Sequence, residues 1–376
     1  MISYRDCIIS ALVLAFAGMG DAFLYTALPA YSMQMDVPVL WIGFLLSINR
    51  FVRLVGNQVF AVLFNLFGFK TITVIAAALA VLSTLLYGLA SGIICWITAR
   101  VMWGLCYSAL RISSISYSLT NKNFGYSMGL NRGLQELGPI VALLLGPFFL
   151  ENYGKETTFI AIALASFPAV ILAFCLPMRK QYSQSMQFRV NLVPSSFDFL
   201  AFVSSFFVQG ILAVVLAKLL IEDASTVEML MWSAGLYLVF RKLCTIIISP
   251  LAGLSADRFG LEKVYLLSLV LTGAATLLIA LGFTQTGIVA AFAFNSITAA
   301  LGPGGAAGTP DELKVISANS TWNDIGAALG ALLGGTLLIS GELNYIFIIA
   351  TFVLLAACLH HIKKTNFKYS DIIRWR

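Results

Sequence analysis

Long apolar runs alternate with short polar breaks along the whole chain. Twelve runs occur, at about 7–32, 38–64, 71–91, 93–119, 125–150, 156–177, 197–220, 229–254, 264–283, 286–306, 314–339 and 343–361. A membrane-spanning helix needs about 20 predominantly apolar residues, and each run reaches about that length. The pattern therefore predicts an all-α integral membrane protein with twelve transmembrane helices. The widest break, 178–196, is polar and basic and separates six runs from six. It predicts an N-terminal bundle over 1–177, a cytoplasmic linker over 178–196, a C-terminal bundle over 197–363 and a cytoplasmic tail over 364–376. The first run lacks a short apolar core ahead of a small-residue cleavage site. It reads as a first spanning helix, not a removed signal.

Composition sharpens this reading. The chain has 376 residues, 60% of them hydrophobic and 11% charged, with a mean hydropathy of +0.92. Soluble domains carry about 25% charge, so an ordinary cytosolic enzyme, a nucleic-acid-binding module and a disordered chain are excluded. The net charge of +6 does not imply nucleic acid, because no basic run is interleaved with aromatics. The six cysteines, Cys7, Cys95, Cys106, Cys175, Cys244 and Cys358, lie in or beside apolar runs without a CxxC, as small packing residues do. His360 and His361 stand together near the end of the last run, so no histidine is available at mid-membrane. There is no GxxxxGK[ST] loop for ATP and no HExxH. No enzyme activity, cofactor or metal is expected.

Charge placement gives orientation. With the N-terminus in the cytoplasm, 14 lysines and arginines fall on the cytoplasmic side and only Lys155 on the other, the remaining 8 of 23 lying inside runs. Positive charge collects on the cytoplasmic side, and two cytoplasmic termini require an even number of spans. A bacterial inner (plasma) membrane is expected.

The two halves repeat. At an offset of 192 residues, Gly43 falls on Gly235, Arg50 on Lys242, Ala61 on Gly253, Asn65 on Asp257, Gly68 on Gly260, Asn131 on Asn323 and Gly138 on Gly330. Parallel repeats of this kind build one class of transporter. Within the second copy, Gly253-Leu254-Ser255-Ala256-Asp257-Arg258-Phe259-Gly260, followed by Lys263, resembles the signature loop between helices 8 and 9 of the major facilitator superfamily. The first copy, Ala61 to Lys70, keeps Gly68 and Lys70 but has lost the first glycine, the aspartate and the first arginine. Arg100-Val101-Met102-Trp103-Gly104 is similar to the helix-4 pattern of that family, and Gly138-Pro139 with Gly146-Pro147 resembles the Gly-Pro element of its proton antiporters.

The resemblance implies two pseudo-symmetric six-helix bundles that rock about a central cavity. Helices 1, 4, 7 and 10 would line it, helices 2, 5, 8 and 11 would pack across the halves, and helices 3, 6, 9 and 12 would face lipid. It implies a conformational latch at Gly253, Asp257, Arg258 and Gly260, with Arg100 as a structural motif residue, and a monomer. The charges agree with it independently: runs 3, 6, 9 and 12 carry no interior acid or base, and a charge facing lipid costs about 2.5–3.5 kcal/mol. Glycines recur every fourth residue at 125, 129 and 133 and again at 326, 330 and 334. Such stripes allow close helix packing or a face that slides. Leu301-Gly302-Pro303-Gly304-Gly305 predicts a break at the end of helix 10.

Inside the runs lie eight bases, Arg50, Arg53, Arg100, Arg111, Arg132, Lys218, Arg241 and Lys242, against three acids, Asp21, Glu136 and Asp324, leaving aside Glu156 and Asp198 at the opening ends of their runs. Mutual pairing leaves five positive charges over, which call for water, carbonyls, a membrane-edge position or an anionic ligand. Arg50 and Arg53 share a helix face, and the repeat makes Arg50 and Lys242 equivalent. Arginine suits bidentate recognition of carboxylates. The expected cargo is a small anionic organic solute of polycarboxylate type, a carboxylate siderophore among the fitting cases. Arg50, Lys242, Arg53, Arg241, Tyr25, Asn49, Tyr237 and Asn295 are the candidate substrate contacts. Asp21, Asp324 and Glu136 are the candidate carriers of a coupling proton. Bland readings compete at each position: Glu136 pairs with Arg132 one turn away, and Asn57, Tyr107, Gln209 and Trp322, with the polar candidates just named, serve as helix-helix glue. A proton-coupled multidrug exporter is the rival within the same class, and a polytopic membrane enzyme or sensor the rival outside it.

Overall fold

The computed structural model describes residues 4–31, 35, 37–120, 123–179, 193–220, 227–307, 309, 311–340 and 343–365. Residues 180–192 of the expected linker 178–196 and 366–376 of the expected tail 364–376, with the orientation markers Lys122, Lys180, Arg189, Lys368, Arg374 and Arg376, lie outside the described residues.

All regular structure among the described residues is helical. It forms twelve passages, here α1 to α12. α1 comprises Tyr4–Ala17 and Met19–Tyr31, bent by 46° at Gly18. α2 is Val39–Phe67, α3 Phe69–Leu89 and α4 Ile93–Leu119. α5 comprises Phe124–Leu134 and the leading part of Leu137–Ser166; Gly154, at φ 75° and ψ 177°, divides that stretch. The trailing part, with Pro168–Phe174, is α6. α7 runs as Ser196–Ser204, a π-helical segment Ser205–Leu212, and Ala213–Leu219. α8 is Val227–Phe259, α9 Leu261–Ala280, α10 Thr284–Leu301 with a 3₁₀ turn Gly302–Ala306, α11 Glu312–Ser340 and α12 Asn344–Lys364. The sequence-predicted break after Leu301 is that 3₁₀ turn, where Pro303 cannot continue the α-helical hydrogen bonding.

Helix boundaries repeat with the sequence. Phe67 and Phe259 end α2 and α8, and Phe69 and Leu261 begin α3 and α9, each pair 192 residues apart. Gly68 and Gly260 sit between these helices at φ 80° and 95°, a left-handed conformation open chiefly to glycine. Each donates its backbone N–H to a carbonyl four residues back, Phe64 and Ala256. The first loop thus keeps its backbone turn although its acid is gone.

The chain forms two compact units. One comprises residues 1–121, 133–190 and 308–317; the other comprises 122–132, 191–307 and 318–376. The start of α5 therefore belongs with the second unit and the start of α11 with the first. The first unit packs around Phe23, Leu24, Tyr87, Trp96 and Phe159, with ring centroids 5.5 Å apart for Phe23–Phe159 and 5.6 Å for Tyr87–Trp96. The second packs around Phe207, Tyr265, Phe292 and Phe347. Leu144, Phe148, Leu164, Ile247 and Phe352 are exposed apolar side chains, as surfaces that meet acyl chains require.

Glycines set the closest helix crossings. A Cβ on Gly138 of α5 would lie 2.0 Å from the Ala15 carbonyl of α1, and one on Gly330 of α11 would lie 2.1 Å from the Phe206 carbonyl of α7. These glycines are repeat partners. So are Gly18, at the bend in α1, and Gly210, inside the π segment of α7, another pair 192 residues apart. Both halves thus interrupt their first helix where the glycine of the fifth crosses it. The three glycines at 326, 330 and 334 all lie against α7, at Phe202 and Ser205, Phe206, and Ile211 and Val214. This stripe is close packing between neighbours inside one unit.

Candidate functional site

Arg100 is the organising cation of the first unit. It is 0% exposed on α4. Its guanidinium bonds the Asp21 carboxylate of α1, donates Nε–H to the Leu45 carbonyl at 2.7 Å and reaches the Leu46 carbonyl at 3.5 Å. Four features make this possible. The bend at Gly18 brings Asp21 into play just beyond it. Gly20 lets α1 approach Thr84 of α3, where a Cβ would stand 2.4 Å from Thr84 Oγ1. Gly104, one turn beyond Arg100, seats α2 against α4: a Cβ there would lie 2.9 Å from the Asn49 carbonyl. Asn49, thus seated, donates Nδ2–H to Asp21 at 3.4 Å. The helix-4 pattern Arg100…Gly104 therefore does two jobs, pairing the acid and docking the helix that orients it.

Other candidates surround this pair. Tyr25 donates its hydroxyl to the Leu46 carbonyl at 3.4 Å, and its ring centroid lies 5.9 Å from the Arg100 guanidinium carbon. Arg53 of α2 lies over the Tyr107 ring of α4 at 4.6 Å, and Arg50 is half-buried on the same helix. In the second unit, Arg241 of α8 lies over the Phe292 ring of α10 at 5.7 Å, Lys242 and Tyr237 are half-buried, and Asp324 is buried on α11. Glu136 is buried at the interruption between the two segments of α5.

Asn295 donates Nδ2–H to Ser204 Oγ at 3.1 Å, a contact between α10 and α7. Arg100, the structural motif residue of the helix-4 pattern, is the buried partner of Asp21. The loop motif itself works on α5. Asp257 accepts backbone N–H bonds from Gly125 and Tyr126, both at 2.8 Å. A carboxylate at a helix N-terminus satisfies orphan donors and opposes the helix dipole. Gly253 permits the approach, since a Cβ would stand 2.2 Å from the Gly125 carbonyl. Gly129 rests on α8 likewise, a Cβ lying 2.0 Å from the Ser249 carbonyl. Arg258 is exposed over the Phe259 ring at 5.3 Å.

A contact absent from the sequence reading joins the first turn of α11 to the first unit. Glu312 accepts from Ser116 Oγ at 2.7 Å and from Arg179 at 3.3 Å. Arg179 also donates to the Ser116 carbonyl at 2.8 Å. None of the six cysteines is in a disulfide. No metal-binding cluster occurs among the described residues.

The family model for the Major Facilitator Superfamily matches residues 10–189 and 199–368. The chain belongs to the major facilitator superfamily. It is an integral membrane secondary transporter of that family, not an enzyme. Among its relatives are the multidrug resistance protein MdtG of Salmonella heidelberg and that of Salmonella typhi, each 22% identical over 377 residues and 93% of both chains. Its fold matches the E. coli fucose:proton symporter FucP, with a TM-score of 0.78 at 14% identity over 97% of this chain and 98% of that one. It also matches the human organic anion transporter MFSD10, with a TM-score of 0.72 at 12% identity over 95% and 98%. These likenesses fix the major facilitator fold, with its two pseudo-symmetric six-helix halves.

Proposed function

We propose that this transporter carries a small organic anion of polycarboxylate type by alternating access of its halves, 1–177 and 197–363, and couples that movement to protons. One observation carries the reading: inside the predicted spans eight bases outnumber three acids, and the Asp21–Arg100 pair, being neutral, leaves that excess at five. Intramembrane charge is costly, and an anionic cargo offsets it. The seating of Arg53 on Tyr107 and of Arg241 on Phe292 also supports it, since guanidinium groups combine ring stacking with carboxylate recognition.

In this reading Arg50, Arg53, Arg241 and Lys242 contact cargo, with Tyr25, Asn49 and Tyr237 supplying polar contacts. Asp21, paired with the sealed Arg100, is one candidate carrier of the coupling proton. Asp324 and Glu136 are the further proton-carrying candidates. Asp257, Arg258, Gly253 and Gly260 hold the latch. The protein works as a monomer in a bacterial inner membrane, with both termini cytoplasmic.

Arg50→Gln and Lys242→Gln, reconstituted at wild-type levels into proteoliposomes, should lose flux of radiolabelled carboxylates. Wild-type flux by both variants would end the assignment. The relatives named MdtG support a second reading, a multidrug exporter; proton-driven ethidium flux without carboxylate flux would favour it.

A further inference from the structure

The second unit seals a histidine inside its packing. His361, near the end of α12, is 0% exposed. Its Nε2 lies 2.8 Å from the Glu262 carboxylate at the start of α9, and that carboxylate keeps partial exposure. A carboxylate only accepts, so Nε2–H donates and Nδ1 carries the lone pair. Nδ1 is buried and meets no partner among the described residues. The pair therefore has a position open for one more proton. A neighbouring carboxylate favours the imidazolium that results, and burial opposes it.

Phe197, in the first turn of α7, connects this pair to its surroundings. Its ring stands at 85° to the imidazole with centroids 4.9 Å apart, and it stacks on the buried Tyr265 of α9 at 5.5 Å. It also touches the 3₁₀ turn that ends α10, since a Cβ on Gly305 would lie 3.3 Å from it. Gly304 of that turn packs on Leu261, a Cβ there lying 2.1 Å from Leu261 Cδ1. The turn is thus held by two side chains, one against His361 and the other next in the chain to Glu262. The remaining titratable or charged groups nearest the pair are Asp198 on α7, Lys263 and Tyr265 on α9, and Cys358 and Lys364 on α12; the turn Gly302–Ala306 has none. The duplicated fold does not require the pair, because Lys70 and Ala169 stand 192 residues before Glu262 and His361.

We propose that His361 and Glu262 form a proton-operated clamp: a proton on His361 turns the hydrogen bond into an ion pair that draws α12 onto α9 and, through Phe197 and Leu261, stiffens the start of α7 and the turn after α10. Charge-assisted hydrogen bonds are the stronger kind. The clamp holds in acid and is lost as pH rises through the range of histidine, about pH 5 to 8. This site is separate from the cargo contacts and from the coupling acids Asp21, Glu136 and Asp324.

The test uses full-length protein in lipid nanodiscs, with protons as the probe. Histidine labelled at the ring Cε1 gives NMR resonances from His360 and His361, assigned with His360→Gln. The His361 resonance should titrate between about pH 5 and 8. In Glu262→Gln, which keeps an acceptor and loses the charge, the same change should need about tenfold more protons. Hydrogen exchange of residues 196–204 and 302–306, taken as the ratio of wild type to His361→Gln at each pH, cancels the intrinsic pH dependence of exchange. That ratio of protection should rise about threefold or more between pH 8 and pH 5.5, whereas a neutral pair with only a packing role leaves it constant. Glu262→Gln serves as the reference if His361→Gln does not fold. A His361 resonance that stays fixed over this range, a wild-type titration in Glu262→Gln, or a protection ratio independent of pH overturns the inference, and none of these touches the organic-anion reading.

Discussion

Removing Asp21 should damage this protein more than removing Arg100, although each change breaks the same ion pair. Arg100 is 0% exposed, whereas the Asp21 side chain retains 16% exposure. Asp21→Ala leaves a guanidinium sealed inside the unit with the Leu45 and Leu46 carbonyls and the Tyr25 ring but no carboxylate from Asp21. Stranding a buried charge in this way costs about 3–5 kcal/mol. Arg100→Met keeps the volume and removes the charge. The carboxylate left behind keeps the Asn49 amide at 3.4 Å and its partial exposure, so the cost is about 1–3 kcal/mol, for the lost charged hydrogen bonds. The double variant strands no charge and should be more stable than Asp21→Ala alone, with a coupling of about 2 kcal/mol or more. Thermal unfolding in detergent, followed by intrinsic tryptophan fluorescence, gives the order: Asp21→Ala melts lowest, the double variant above it, Arg100→Met highest of the three. Additive shifts, or an Arg100→Met that melts below Asp21→Ala, would refute the burial argument.

Glycine crossings give a second set of tests. Gly330→Ala should cost about 1–3 kcal/mol through the clash with the Phe206 carbonyl, while Gly335→Ala, with nothing within 4 Å of its Cβ, should raise stability by about 0.4–1 kcal/mol; melting temperatures of the pair decide it. Asp257→Ala removes acceptors from the Gly125 and Tyr126 N–H groups and should cost about 0.5–2 kcal/mol. Faster hydrogen exchange confined to the start of α5 would be its signature.

Much of the architecture was legible because a bilayer imposes a simple rule. Apolar runs of fixed length gave twelve passages, and the offset of 192 recovered the helix boundaries to the residue at Phe67 and Phe259. The Gly253–Gly260 motif located the cap that Asp257 places on α5. Depth is legible in this way; neighbours are not. The pairing of Asp21 with Arg100 spans 79 residues, and no local pattern marks it, because helix periodicity does not say which faces meet. Asn49 was visible as a polar residue at mid-helix, but its contact depends on Gly104, whose role appears only when α2 is laid on α4. Asn295 carried two readings, cavity group and helix-helix glue, and only the folded neighbours bring its amide to Ser204. The matched interruptions at Gly18 and Gly210 carried a usable signal, the same offset that links Gly138 to Gly330. Glu312 lay at a helix start, where an acid is ordinarily a dipole partner; its reach to Ser116 and Arg179 is a tertiary contact that no spacing encodes.

The account turns on the sign of the cargo. Purified wild-type protein in proteoliposomes, loaded with a pH-sensitive dye and given radiolabelled citrate under an imposed pH gradient, measures carboxylate and proton movement together. Citrate accumulation that moves protons in the same direction and stops when the gradient is collapsed is the predicted result. Gradient-driven flux of a cationic dye, with no movement of citrate or any other carboxylate, would contradict it.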